Sequence, residues 1–112
     1  MNLLAETIDA LLEYDKAASD VRWVGSNDGS MVITWEEFVA IADVEYDSGY
    51  GSPEIAQDLV VVGDDWWLER HEYDGSEWWG FKRLPVASVL ANKFDKVAGG
   101  TWSSLKEIME AK

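Results

Sequence analysis

An α+β fold, with a mainly antiparallel sheet of about five strands and two or three helices packed on one face, is predicted by three observations. Asp74-Gly75 separates two runs of strand-like residues, Trp66–Tyr73 and Ser76–Arg83. A two-residue hairpin loop needs positive φ at both central residues, which this dipeptide tolerates. An apolar run at 57–62, QDLVVV, precedes the hairpin across Gly63-Asp64-Asp65 and extends it to a three-stranded meander. Near the start, Leu3, Leu4, Ile8, Leu11 and Leu12 recur at helical spacing.

The remaining elements follow in chain order. Residues 2–14 are an amphipathic helix, and Asp15–Asp20 is a polar connection. Val21–Gly25 and Met31–Thr34 are short strands around Asn27-Asp28-Gly29, a second hairpin with a longer loop. Thr34 and Glu37 make a capping box, opening a helix from Trp35 to about Glu45 that buries Phe38, Ile41 and Ala42. Asp47–Pro53 is a loop with two glycines available for positive φ. Pro85 ends the last strand, Val86–Asn92 is expected to form a short helix, and Gly99-Gly100 breaks the chain. Thr101 or Ser104 caps a C-terminal helix, with Ser104 and Glu107 as a capping box and Trp102, Leu105 and Ile108 facing inward. Residues 1–112 are expected to be one domain.

The Asp74-Gly75 loop dictates a register. Tyr73 faces Ser76, His71 faces Trp78, Arg70 faces Trp79, Leu68 faces Phe81, Trp67 faces Lys82 and Trp66 faces Arg83. Strand side chains alternate faces, so Trp66, Leu68, Trp79 and Phe81 share one side, and Trp67, His71, Tyr73 and Trp78 share the other. Helices covering the first side leave the second open.

Three stretches, Glu45–Gly51, Asp58–Gly63 and Trp66–Trp79, also carry a resemblance. The order EYD-x-G-x-G, DLVVVG, WWLERHEYDGSEWW is similar to a recurring element of small acidic proteins encoded by bacteriophages and prophages, many from actinobacterial hosts. It covers roughly Trp35 to Pro85, about half of the chain. The resemblance implies a phage origin, and it brings no assigned activity and no site residues.

Composition narrows the function classes. With 47% hydrophobic and 12% aromatic residues the chain can build a core, unlike a disordered chain of similar charge. It has no cysteine, which excludes disulfides and thiolate metal sites. The N-terminal stretch is acidic and lacks a basic leader, so no signal peptide is expected, and no run reaches membrane-span length. The expected location is the bacterial host cytoplasm. Of the net charge of −13, twelve units lie between Glu36 and Glu77, where thirteen carboxylates meet one arginine. That field repels phosphate backbones and attracts basic surfaces, so direct nucleic-acid binding is not expected. A solubilising surface is the plainer account of the same charge.

Catalytic groupings are not apparent. His71 is the single histidine, and Ser76 and Asp74 lie in the turn without nucleophile-elbow context. Glu72 and Glu77 are neighbours beside the turn, where solvation is expected. The alternation of Asp43, Glu45 and Asp47 lacks a calcium-loop spacing, and the glycine pairs match no phosphate-binding fingerprint, so no metal or cofactor is expected. The best-supported site is an exposed aromatic patch rimmed by acids: Trp67, Tyr73, Trp78 and Tyr50, with Asp64, Asp65, Glu69, Glu72 and Glu77 steering a basic partner. The partner expected for a phage protein is a host protein, with anti-defence or host takeover as the setting. Two alternatives stand: a nucleotide-signal or small-ligand binder with a tryptophan-lined pocket, and a carboxylate-based hydrolase. The exposed edges of a small sheet also make a homo-oligomer possible.

Overall fold

The structure, a computed structural model, describes all residues except Ser48, Tyr50, Gly51, Ala111 and Lys112. It is an α+β fold built on one five-stranded antiparallel sheet. In chain order the elements are α1 (Leu3–Glu13), β1 (Trp23–Ser26), β2 (Val32–Ile33), α2 (Trp35–Ala42), β3 (Leu59–Val62), β4 (Trp66–Tyr73), β5 (Ser76–Arg83) and α3 (Leu105–Glu110). A single 3-10 turn, Ala18–Asp20, links α1 to β1. The strands lie in the order β2-β1-β3-β4-β5. β2 therefore forms one edge, and α2 carries the chain back across β1 to its other side.

The hairpin register is the one expected from the turn, from Tyr73 opposite Ser76 out to Trp66 opposite Arg83. Asp74 and Gly75 both have positive φ, 52° and 86°. The Asn2 side chain caps α1 by accepting from the Ala5 amide (2.9 Å), and Thr34 and Glu37 form the reciprocal capping box of α2. α2 stops at Ala42, three residues short of the expected end. Beyond it the chain pairs with the N-terminus instead: Leu3 N–H donates to the Val44 carbonyl (3.0 Å), and the Tyr46 amide donates to the Met1 carbonyl (2.8 Å).

The core lies between the helices and one sheet face, among Leu3, Leu11, Val24, Phe38, Val61, Trp66, Leu68 and Trp79. Trp79 Nε1 donates to Thr7 Oγ1 (2.9 Å), whose hydroxyl donates to the Leu3 carbonyl (2.7 Å), so the ring's one polar atom is satisfied. Beside it sits a buried ion cluster. Arg70 donates to Glu77 Oε1 (3.0 Å), to the Tyr46 hydroxyl (3.1 Å) and to both Glu6 oxygens (3.4 Å). Its guanidinium lies 4.7 Å from the Trp79 ring centroid, a cation–π contact between these cross-strand partners. Tyr46 donates to Glu6 (2.5 Å), and the Glu54 amide donates to the other oxygen of Glu77 (2.8 Å). The side chains of Arg70 and Glu77 are fully buried. Burial, and then the bond to Glu6, push the Tyr46 phenol up to about 12. Burial acts to lower the Arg70 pKa, but its bonds to Tyr46 and Glu77 and the charge of Glu6 raise it overall.

Four sequence expectations are corrected. Glu77 is not a solvated acid at the hairpin tip but a core residue, because its strand parity aims it at the helices and Arg70 receives it. Ile41 is exposed, since α2 packs along its Phe38–Ala42 line. Val86–Asn92 is not a helix; a single turn, Ala91 N–H to the Ser88 carbonyl, forms there. Trp102 is 98% exposed and precedes α3, which Ser104 rather than Thr101 caps, leaving Ile108 as its buried residue.

Arg70→Met leaves two carboxylates without their buried counter-charge, an expected loss of about 3–5 kcal/mol in urea denaturation. The double variant Arg70→Met/Glu77→Met should lose less than the single one. A second expectation concerns alkaline pH. The fold holds the neutral phenol of Tyr46, so that stabilisation is complete below the ordinary pKa of 10.0 and is lost as pH rises toward about 12. Tyr46→Phe should flatten the decline in unfolding free energy across that window.

Candidate functional site: the open sheet face

Among the described residues no helix covers the second face of the sheet, and its side chains form rows across the strands. Trp23, Val62, Trp67 and Lys82 make one row. Gly25, Val60, Glu69 and Gly80 make the next, and His71 and Trp78 follow beyond it. Large rings therefore flank a row whose other members are small. Trp23, Trp67, Val60, Val62 and Asn27 enclose a shallow cleft of about 300 Å³. Val60 is only 6% exposed although no helix lies over it.

Glu69 organises the centre of this face. One carboxylate oxygen accepts from Trp67 Nε1 (2.7 Å), and the other contacts His71 Nε2 (3.0 Å). A carboxylate only accepts, so the second contact requires a proton on Nε2. The three residues alternate on β4 at i, i+2 and i+4, which places them on one side of the strand. Gly80 makes room for the arrangement: a Cβ there would stand 2.6 Å from His71 Nε2. The His71 ring in turn lies 6.1 Å from that of Trp78.

The expected site residues divide among several locations. Trp67, Glu69, Tyr73 and Trp78 do share the open face, with Tyr73 77% and Trp78 42% exposed. Glu72 is exposed, but its parity assigns it to the helix side of the sheet, so it does not rim the aromatic face. Glu77 is buried on that same side, as described above. Asp64, in the β3–β4 turn, is held in a two-pronged pair by Arg22 (2.6 and 2.9 Å). The Arg22 hydrogen bonds hold the Asp64 carboxyl below its usual range, and the guanidinium offsets its steering charge. Asp65 is exposed beside it and accepts the Leu84 amide on its backbone carbonyl (2.7 Å). Tyr50 lies outside the described residues.

Two parts of the surface were not anticipated. Trp23 joins Trp67 because β1 is inserted beside β3, a placement that strand spacing alone does not reveal. Along the outer side of β5 a cleft of about 450 Å³ is lined by Glu6, Asp9 and Glu13 of α1 together with Trp78 and Gly80. The spacing of those three acids on α1 was the available signal, since i, i+3 and i+7 share a helical face.

Chemically, the open face offers stacking surface, an apolar floor and one fixed carboxylate. It suits a ligand that is apolar along its length and cationic at one end. Among the described residues no group of three His, Asp or Glu side chains is placed to hold a metal ion, and no helix is long and apolar enough to cross a membrane. Comparison with protein-family models, curated proteins and solved structures returns no match.

Gly80→Ala should push the His71 ring off the strand and break its contact with Glu69 while leaving the fold intact. The expected cost is roughly 1–3 kcal/mol, as for a side chain forced into an occupied space. The His71 ring resonances in NMR spectra should shift in Gly80→Ala, and in the same way in Glu69→Gln.

Proposed function

We propose that this chain is a phage-encoded accessory protein that docks a basic host protein on its open, aromatic sheet face. The observation that carries the reading is the uncovered row of Trp23 and Trp67 with Glu69 fixed beside it. Tryptophans dominate binding hot spots because they bury much apolar area at small entropic cost. The acidic charge of the chain supplies steering toward a cationic partner. A nucleic-acid-handling or defence protein is a natural target, since such proteins present basic surfaces evolved for phosphates. The bacterial cytoplasm is the setting this reading requires.

The test is capture from host lysate, followed by binding measurements with the purified partner. Trp67→Ala and Glu69→Lys should each weaken binding at least tenfold, about 1.4 kcal/mol, and added salt should weaken it further. Binding indifferent to both substitutions, or the lack of any purified basic protein that binds, would sink the reading.

The cleft between Trp23 and Trp67 favours a second reading, a small planar ligand stacked between the rings. Tryptophan fluorescence titrated with a nucleotide panel separates the two. Saturable quenching that Trp23→Ala removes would select the small ligand.

A further inference from the structure

The C-terminal arm, residues 84–110, carries an apolar surface that its own body does not cover. Val86, Val89, Leu90, Phe94 and Val97 are all exposed, Val89 at 99% and Leu90 at 84%. The arm also stretches the molecule: its radius of gyration is 17.9 Å, against about 13 Å for a compact chain of this length. Monomeric proteins rarely display contiguous apolar surface of this kind without a use for it.

The spacing of those residues is helical. At about 100° per residue, the five positions fall within an arc of roughly 140°, and Asp95 falls opposite. Pro85 suits the first position of a helix, and Gly99-Gly100 suits its end. Yet only one turn forms between these signals. The physical reason is the lack of a surface, because a helix of about thirteen residues is marginal in water until its apolar face is packed.

A matching surface exists on the outer side of α1 and α2. Leu4, Ile8, Leu12, Trp35 and Val39 line a groove of about 320 Å³, with Ile8 41% and Leu12 68% exposed. Charge matches as well. Residues 82–106 hold five basic side chains and one acid, whereas residues 1–81 hold three basic side chains and nineteen acids. α2 exposes Glu36 next to Trp35 of the groove, Lys16 lies in the groove lining, and on the arm Lys96 borders the apolar stripe while Lys93 falls within it.

We propose that segment 86–98 of one copy folds into a helix in the α1–α2 groove of a second copy, and that the exchange is reciprocal. A two-fold arrangement fills both grooves and closes the assembly. Recognition is of the helix-in-groove kind, with anchors at i, i+3, i+4 and i+8. The groove is separate from the open sheet face, so the dimer keeps two aromatic faces free.

Sedimentation equilibrium and circular dichroism over a concentration series test this on the full chain. The expected mass is twice the 12.6 kDa of one chain, with helix content rising as the dimer forms. Leu90→Glu and, separately, Ile8→Glu should each return the single-chain mass and remove the concentration-dependent helix. Both positions are exposed in the single chain, so neither substitution disturbs its core. A single-chain mass at every concentration overturns the proposal, as does a dimer that survives both substitutions or forms without gaining helix.

Discussion

Arg70 is the constraint around which the body of this molecule is arranged. It sits on β4 with a fully buried side chain, and the groups it binds come from three separate parts of the chain. Glu6 belongs to α1, Tyr46 to the segment after α2, Glu77 to β5, and Glu54 reaches the cluster through its backbone amide. A buried ion cluster contributes little net stability compared with apolar packing, but it is severe about geometry. Each partner must arrive for the others to be tolerated. α1 is thereby held in place over the sheet, and the loop leading to β3 is pinned to the hairpin. Arg70 Nε has no hydrogen-bond partner among the described residues, the one buried side-chain polar atom of which that is true.

That cluster also explains why the two faces of the hairpin differ so much. Strand parity sends Trp66, Leu68, Arg70, Glu77 and Trp79 to the helix side, where α1 and Tyr46 close over them. The same parity sends Trp67, Glu69, His71 and Trp78 to the side that no helix among the described residues covers. One sequence pattern thus builds a dry charged node on one face and a wet aromatic surface on the other. Each face holds a carboxylate, and their environments set their uses. Glu77 is consumed by a fixed cation, whereas Glu69 is oriented by two ring N–H groups and keeps its charge available.

The hairpin was legible in the sequence because its signals are local. Asp74-Gly75 needs no tertiary context to make a turn, and the turn alone sets the register and the division of tryptophans. The helix caps at Thr34 and Ser104 were legible for the same reason. The acidic rim was less so. Glu72, Glu77 and Asp64 looked alike as exposed acids near tryptophans, yet one faces the helix side, one is buried and one is paired with Arg22. Those fates depend on partners distant in sequence, Glu6 and Tyr46 for the Arg70 cluster and Arg22 for Asp64. The segment 86–98 is the reverse case. Its local pattern is helical, but a pattern is expressed only where a surface receives it.

The two edges of the sheet are unequal. β2 offers only Val32 and Ile33, too short to template another strand, while β5 presents eight residues along its outer side. Only β5 is long enough to let the sheet grow, and that growth would have to pass the carboxylates of α1 that overhang the strand. An acidic strand meets repulsion there, and a lysine-rich one does not. The fold therefore guards its one open border with a charge filter, resisting uncontrolled stacking of its own acidic hairpins while remaining permissive to strands of opposite sign.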